Sequence, residues 1–181
     1  MPTTITNQAT LRFTYGNVTA TAASNIASTS LQGPLTASKS VLENAYEAGG
    51  QLTYLINLTN TGAATLTDIT ITDDLGTYAL SPTLSVTPLF YMDPAQLYID
   101  GTFVSNLTPT PGTGSISFTI PALAAGSNAM LIYKAEVSAY AQLGTGSGIL
   151  NTATIAATGM TDDVTVQNTV LVDDYADVSV M

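Results

Sequence analysis

The chain contains no cysteine, no histidine and no tryptophan among its 181 residues. These absences exclude a thiolate nucleophile, an imidazole base, a Ser-His-Asp triad and an ordinary zinc site. Disulfide bonds are excluded as well, so any covalent stabilisation of the fold must come from other side chains. We therefore expect a protein that is not an enzyme and that has neither a cofactor nor a metal site.

Charged side chains are also scarce. They make up 9% of the residues, whereas roughly 25% is usual for a globular protein. The basic residues are Arg12, Lys39 and Lys134, and the formal net charge is -10. Phosphate backbones repel a chain this acidic, so nucleic acid is not an expected partner. No apolar run approaches the roughly 18 residues of a membrane helix, and no basic region followed by an apolar core marks a signal peptide.

The hydrophobic pattern predicts an all-β protein. Short alternating runs separated by Gly, Pro and Asn turns are typical of an immunoglobulin-like antiparallel β-sandwich. Asp100-Gly101 lies between β-forming residues and predicts a tight hairpin, while residues 82–94 contain prolines and predict an irregular segment or an edge strand. Only residues 41–48 could form a short helix. Further strands are expected at 35–42, 51–59, 65–73, 115–120, 129–138, 149–157 and 164–172.

A two-strand pattern occurs at both ends of the chain. Ile5 to Leu11 reads ITNQATL, and Ile149 to Ile155 reads ILNTATI. In both places a second alternating run follows after a turn. One sandwich needs this unit once, so the first copy, residues 1–30, is interpreted as a β-strand extension that precedes the main domain, residues 31–181.

The ordered motifs resemble a known bacterial family. The segment Gln51 to Gly62 reads QLTYLINLTNTG, Leu66 to Leu75 reads LTDITITDDL, and Asn151 to Thr154 reads NTAT. Together they are similar to the bacterial conserved-repeat domain, also called domain of unknown function eleven, over about residues 35–172. The resemblance implies an immunoglobulin-like sandwich of the kind found in tandem in surface, adhesin-like and spore-associated proteins. This chain departs from the family in carrying a single repeat flanked by partial copies.

The strand period predicts that three polar residues point into the core. Lys39 shares a face with Leu35 and Val41, Asp73 follows the phase of buried isoleucines, and Asn151 does the same on a later strand. Because burial lowers the pKa of an amine and raises that of a carboxyl group, a neutral lysine could attack the asparagine amide with the aspartic acid as catalyst. The product is an isopeptide bond and ammonia, as in the bacterial pilins and adhesins that such sandwiches resemble. A plain buried ion pair, or an asparagine that caps a β-bulge, explains the same pattern.

The flanking partial copies favour a structural subunit of a bacterial extracellular or spore-surface filament. Head-to-tail assembly by strand complementation would pair the start of one copy with the end of another. The partners are then copies of the same chain, with a capping or anchoring protein as a further partner. The side chains expected at the subunit interface are Ile5, Asn7, Ala9, Leu11, Phe13, Val178 and Val180.

The alternative function is a cell-surface adhesin or carbohydrate-binding module. Such a module needs an exposed aromatic platform. The nine tyrosines are scattered through the chain, and Tyr91, Tyr98 and Phe103 form the only aromatic cluster near a hairpin. A filament subunit forms very large assemblies, whereas a binding module stays small.

Overall fold

The computed structural model describes residues 4–30 and 33–173. In this part of the chain, all the regular secondary structure consists of β-strands. The described residues divide into two compact units, and the boundary along the chain falls between Gly33 and Pro34. In chain order the strands are β1 Thr4–Asn7, β2 Thr10–Tyr15, β3 Val18–Ala23, β4 Ala27–Ser30, β5 Leu35–Val41, β6 Ala45–Tyr46, β7 Gln51–Asn60, β8 Leu66–Asp73, β9 Tyr78–Ser81, β10 Leu84–Val86, β11 Leu89–Ile99, β12 Thr102–Leu107, β13 Thr110–Gly112, β14 Ser115–Leu123, β15 Asn128–Val137, β16 Gly148–Thr158 and β17 Val164–Val172.

The N-terminal unit consists of two antiparallel strand pairs, one nested inside the other. β2 pairs with β3 around a two-residue turn, and β1 pairs with β4 outside them. Gly16 occupies the first position of the turn with a φ of 60°, a conformation that glycine adopts without steric cost. Ser24 joins the two pairs, because its amide donates to the carbonyl oxygen of Ala9 and its hydroxyl accepts from the amide of Ala9.

The second unit is a sandwich of two larger sheets. A five-stranded sheet has the order β12-β11-β15-β7-β5, and a six-stranded sheet has the order β13-β14-β8-β16-β17-β6. All neighbours in these sheets are antiparallel except β17 and β6, whose short pairing is parallel. β9 and β10 form a separate two-stranded pair.

The core lies between the two large sheets and follows the period of two. On β7 the buried side chains are Leu52, Tyr54, Ile56 and Leu58, with more exposed residues between them. The facing strand β8 buries Ile69 and Ile71 in the same alternating way. Because both sheets turn one apolar face inward, the alternation in the sequence is sufficient to define the core.

Most of the predicted strands are confirmed, including the hairpin at Asp100-Gly101. Both turn residues have positive φ, 49° and 77°, as a turn of this type requires. One expectation is wrong. Residues 41–48 form no helix; the backbone crosses between the sheets there, and Ala45–Tyr46 pairs with β17 instead. The glutamate in this crossing, Glu43, accepts a hydrogen bond from the backbone amide of Thr53 at 2.6 Å.

The proline-containing stretch 82–94 is irregular and lies at strand edges, as predicted. It contains β10, which is paired with β9, and the start of β11, which pairs with β15 from Leu89 to Met92 and has β12 on its other side only from Ala95 onward. Pro94 is tolerated there because the pairing with β15 shifts register between Met92 and Gln96. A proline lacks the N–H that a regular ladder needs, and an irregularity removes that demand.

Candidate functional site

The three polar residues predicted to point inward do meet between the two sheets. Lys39 is contributed by β5 at the edge of the five-stranded sheet, whereas Asp73 and Asn151 lie on the adjacent strands β8 and β16 of the other sheet. Lys39 is 7% exposed, and the other two residues are fully buried. The cluster therefore connects the first long strand of the sandwich to one of its last.

Asp73 is the centre of the cluster. Its Oδ2 accepts a hydrogen bond from the Lys39 ammonium at 2.6 Å and another from the Tyr133 hydroxyl at 2.6 Å. Its Oδ1 accepts from the backbone amide of Leu75 at 3.0 Å. Both carboxylate oxygens are thus held by donors, which fixes the orientation of the group.

Asn151 is joined to this carboxylate through a tyrosine. Its Nδ2 donates to the hydroxyl oxygen of Tyr133 at 3.1 Å. Among the described residues, its Oδ1 is buried and accepts no hydrogen bond. A buried acceptor without a donor is costly in a folded protein, so the amide of Asn151 is the unsatisfied member of the cluster.

The surroundings are aromatic and exclude water. The Tyr133 ring stacks on Tyr54 with 5.4 Å between centroids and lies 5.8 Å from the ring of Phe118. The Lys39 nitrogen lies 5.1 Å from the centroid of Tyr54. The alternation along β15 puts Tyr133 on the same inward face as Leu131, Ala135 and Val137. The sequence alone does not assign it to the site, because an inward phase does not reveal a partner across the core.

Burial changes the acid-base properties of the cluster. It lowers the pKa of the Lys39 amine below the ordinary value of 10.5, and the attraction of Asp73 opposes this effect without cancelling it. Burial likewise raises the pKa of the Tyr54 and Tyr133 hydroxyl groups. Burial thus shifts the Lys39 amine toward its neutral form and the two phenols toward their protonated form, which are the forms that nucleophilic attack and proton donation require.

The neighbouring charged residues lie outside the cluster. Asp74, next in sequence to Asp73, accepts hydrogen bonds from the backbone amides of Gly76 and Thr152 at 2.8 and 2.9 Å, so it stabilises a turn. Lys134 is exposed, as its phase on β15 predicts. Lys39 is thus the lysine that the fold places in the core.

The N-terminal unit exposes the side chains that were predicted to form a subunit interface. Ile5, Leu11 and Phe13 are 53%, 63% and 50% exposed, and Asn7 and Ala9 are exposed as well. Leu11 and Phe13 pair across the hairpin with two alanines, Ala22 and Ala20, and the two cross-strand pairs form one apolar face. The other two predicted interface residues, Val178 and Val180, lie outside the described residues.

The aromatic cluster considered for an adhesin is divided by the fold. Tyr98 and Phe103 form an edge-to-face pair across the β11–β12 hairpin, with Phe103 50% exposed. Tyr91 instead lies against Phe118 and Tyr133 at the core, with centroid distances of 5.8 and 6.3 Å. The three residues therefore do not form one exposed platform.

Within residues 4–30 and 33–173, no three histidine, cysteine or acidic side chains are placed to share a metal ion. Over the same ranges, none of the elements is a helix with the length and hydropathy to cross a bilayer.

No protein-family model matches the chain, and no curated protein matches its sequence. Solved structures do match. The major pilin subunit BcpA of Bacillus cereus has a TM-score of 0.55 at 18% identity, over 76% of this chain and 39% of the pilin. The full-length major pilin SpaD of Corynebacterium diphtheriae has a TM-score of 0.53 at 15% identity, over 75% of this chain and 33% of the pilin.

The N-terminal domain of a Streptococcus gordonii adhesin has a TM-score of 0.57 at 11% identity, over 85% of this chain and 36% of that domain. The chain thus spans less than half the length of each of these proteins. At identities this low, the structural similarity shows a common fold and no more. The predicted fold class, an all-β immunoglobulin-like sandwich, is confirmed by the strand layout and by this similarity.

Proposed function

We propose that this protein is a structural subunit of a bacterial extracellular filament, on the surface of a cell or spore, and that its subunits join head to tail by strand complementation. The observation that carries the proposal is the N-terminal unit, whose β2–β3 hairpin exposes an apolar face. A two-stranded pair is at best marginally stable alone in water, and a contiguous exposed apolar face marks an interaction surface. The similarity to two major pilins supports a subunit of this kind.

The sandwich offers strand edges to which such a segment could add. β5 is the outer strand of the five-stranded sheet. In residues 33–173, β17 has a partner on its outer side only at Leu171 and Val172, so the backbone from Val164 to Val170 has no strand there. Val164 and Val166 face the core but are only partly buried. An added strand would pair these backbone groups and cover these side chains.

Strand addition between copies gives a polymer. The donor surface and the acceptor surface are different parts of the chain, so the contact is heterologous and continues into a fibre unless it closes as a ring. The partners of each subunit are then two further copies, and a capping or anchoring protein would occupy the terminal surfaces.

Point substitutions on the hairpin test this assembly. Leu11→Asp with Phe13→Asp places charges on the apolar face and is expected to leave dispersed subunits in negative-stain images. Thr19→Asp with Thr21→Asp is the matched control, because it adds the same charge to the other face of the same hairpin and should leave fibres. Fibres from the first variant would contradict the proposed connector.

We also propose that Lys39 and Asn151 become joined by an isopeptide bond, with Asp73 as the catalytic acid. The lysine and the aspartate are in contact, and the asparagine is linked to the same carboxylate oxygen through Tyr133. The neutral Nζ attacks Cγ of Asn151, the Nζ–Cγ bond forms, the Cγ–Nδ2 bond breaks, and ammonia leaves. The bond would connect the two sheets, which suits a subunit that transmits tension along a filament.

Intact mass tests the bond. The native chain should be lighter than its sequence by one ammonia, and Asp73→Ala should have the full sequence mass. Lys134→Ala is the control, since an exposed lysine on β15 has no part in the reaction and its variant should still lose ammonia. A native chain with the full sequence mass would exclude the crosslink and leave the buried ion pair as the explanation.

A further inference from the structure

Tyr133 occupies the position between the carboxyl group and the amide nitrogen of the proposed reaction. Its hydroxyl donates to Asp73 Oδ2 at 2.6 Å and accepts from Asn151 Nδ2 at 3.1 Å. Its side chain is 1% exposed, and two neighbouring aromatic rings, Tyr54 and Phe118, hold it in place. The hydroxyl group is thus fixed within hydrogen-bond reach of both groups.

The chemistry of amide exchange requires a proton at this place. An amide nitrogen is a very poor leaving group until it is protonated. Once Lys39 Nζ has added to Cγ of Asn151, the Nδ2 atom is no longer conjugated with a carbonyl and gains a lone pair that can accept a proton. The hydrogen bond between Nδ2 and the Tyr133 hydroxyl can then reverse its direction, so that the hydroxyl donates.

The Asp73 carboxyl can resupply that proton. Lys39 and Tyr133 contact the same oxygen of Asp73, Oδ2, each at 2.6 Å. A proton that leaves the lysine therefore arrives on the atom to which the tyrosine is hydrogen-bonded. The contacts form a continuous path from Nζ through the carboxyl and the phenol to Nδ2.

We propose that Tyr133 is a catalytic proton relay in formation of the Lys39–Asn151 bond, a role that rests on the crosslink proposed above. Asp73 begins with the proton released by the lysine ammonium. As Nζ adds to Cγ, Tyr133 gives its proton to Nδ2 and takes one from Asp73, and the carboxylate then removes a proton from Nζ. Ammonia departs, the new amide remains, and Tyr133 and Asp73 return to their starting protonation states.

The test is the rate of ammonia loss during cell-free synthesis of the full chain, followed by intact mass over time. Removing general acid–base assistance typically costs about 10²–10⁴-fold in rate, so Tyr133→Phe should react slower by that factor. Tyr91→Phe is the control, because it removes a hydroxyl from an adjacent ring of the same aromatic group. It should react at about the rate of the parent chain.

A purely structural role is separated from the relay by a second substitution. Incorporation of 3-fluorotyrosine at position 133 keeps the size of the ring and lowers the pKa of its phenol. The relay predicts that the fluorinated protein has a different pH–rate profile from the parent chain. It also predicts that ammonia loss from the parent chain shows a solvent deuterium isotope effect that Tyr133→Phe lacks. If Tyr133→Phe fails to fold, the fluorinated protein decides the question.

The outcomes separate this role from the crosslink itself. A parent chain that never loses ammonia overturns both proposals. A parent chain that loses ammonia, with Tyr133→Phe reacting at the same rate, or with an unchanged pH–rate profile in the fluorinated protein, overturns the relay and leaves the crosslink intact.

Discussion

The proposed bond between Lys39 and Asn151 has a predictable effect on stability. It closes a loop of about 110 residues, and a crosslink over such a loop lowers the entropy of the unfolded chain by an amount worth about 5 kcal/mol at 25 °C in the chain-entropy model. For a domain of this size, each kcal/mol changes the melting temperature by about 2–4 °C. Loss of the bond should therefore lower the melting temperature by about 10–20 °C.

The variant that measures this effect must remove the bond without leaving a lone buried charge. A single substitution that breaks a buried ion pair costs about 3–5 kcal/mol by itself. Lys39→Met combined with Asp73→Asn removes both charges, keeps two side chains of similar size, and leaves Tyr133 a side-chain carbonyl as its acceptor. Lys134→Met is the control for loss of a lysine, and its melting temperature should change by only about 1–2 °C, as is usual for an exposed residue.

Calorimetry distinguishes the crosslink from the plain ion pair, because the two predict opposite results. Replacing a buried ion pair with neutral residues of similar volume is often neutral, or stabilising by about 1–4 kcal/mol. A double variant that melts about 10–20 °C below the parent supports the crosslink. A double variant that melts at or above the parent temperature would refute the reasoning.

Two further predictions concern the same core. The free energy of unfolding should fall as the pH rises above about 10, because Tyr54 and Tyr133 have raised pKa values in the folded state. Above pH 10 the unfolded state binds fewer protons than the folded state. Each tyrosine then contributes a slope of up to about 1.4 kcal/mol per pH unit. Urea titrations at pH 8 to 12 measure this, and a free energy of unfolding that stays constant across that range would contradict it. Gly76→Ala should destabilise the fold by more than about 1 kcal/mol, because Gly76 has a φ of 70° and a Cβ there would lie 2.7 Å from the Ile149 side chain. Gly101→Ala is the control for backbone strain alone, since Gly101 has a φ of 77° and a Cβ there would have no atom within 4 Å. It should cost less in the same titration.

The sequence predicts much of the site because the period of two on a half-buried strand is a local property. The inward phases of Lys39, Asp73 and Asn151 follow from the apolar residues two positions away on each strand. The role of Tyr133 does not follow, because it depends on how the five-stranded sheet lies over the six-stranded one. Local phase cannot tell which of the inward aromatic residues faces the carboxylate.

One local signal is confirmed and another is wrong. The proline at position 94 indicates an irregular segment or an edge strand by its missing N–H, and at this position β11 has an irregular pairing with β15 and is not yet paired with β12. Residues 41–48 have the composition of a short helix, yet this segment crosses from one sheet to the other, and β17 provides a partner for its two-residue strand. In that segment long-range pairing overrides the local preference.

The central claim, that the chain is a filament subunit joined through its N-terminal strands, is tested most directly by negative-stain imaging of two purified proteins. One is the full chain, and the other lacks residues 1–28. We predict long fibres from the full chain and dispersed particles of single-subunit size from the shortened chain, which retains the whole sandwich from Leu35 onward. Fibres from the shortened chain, or dispersed particles from the full chain, would contradict the account.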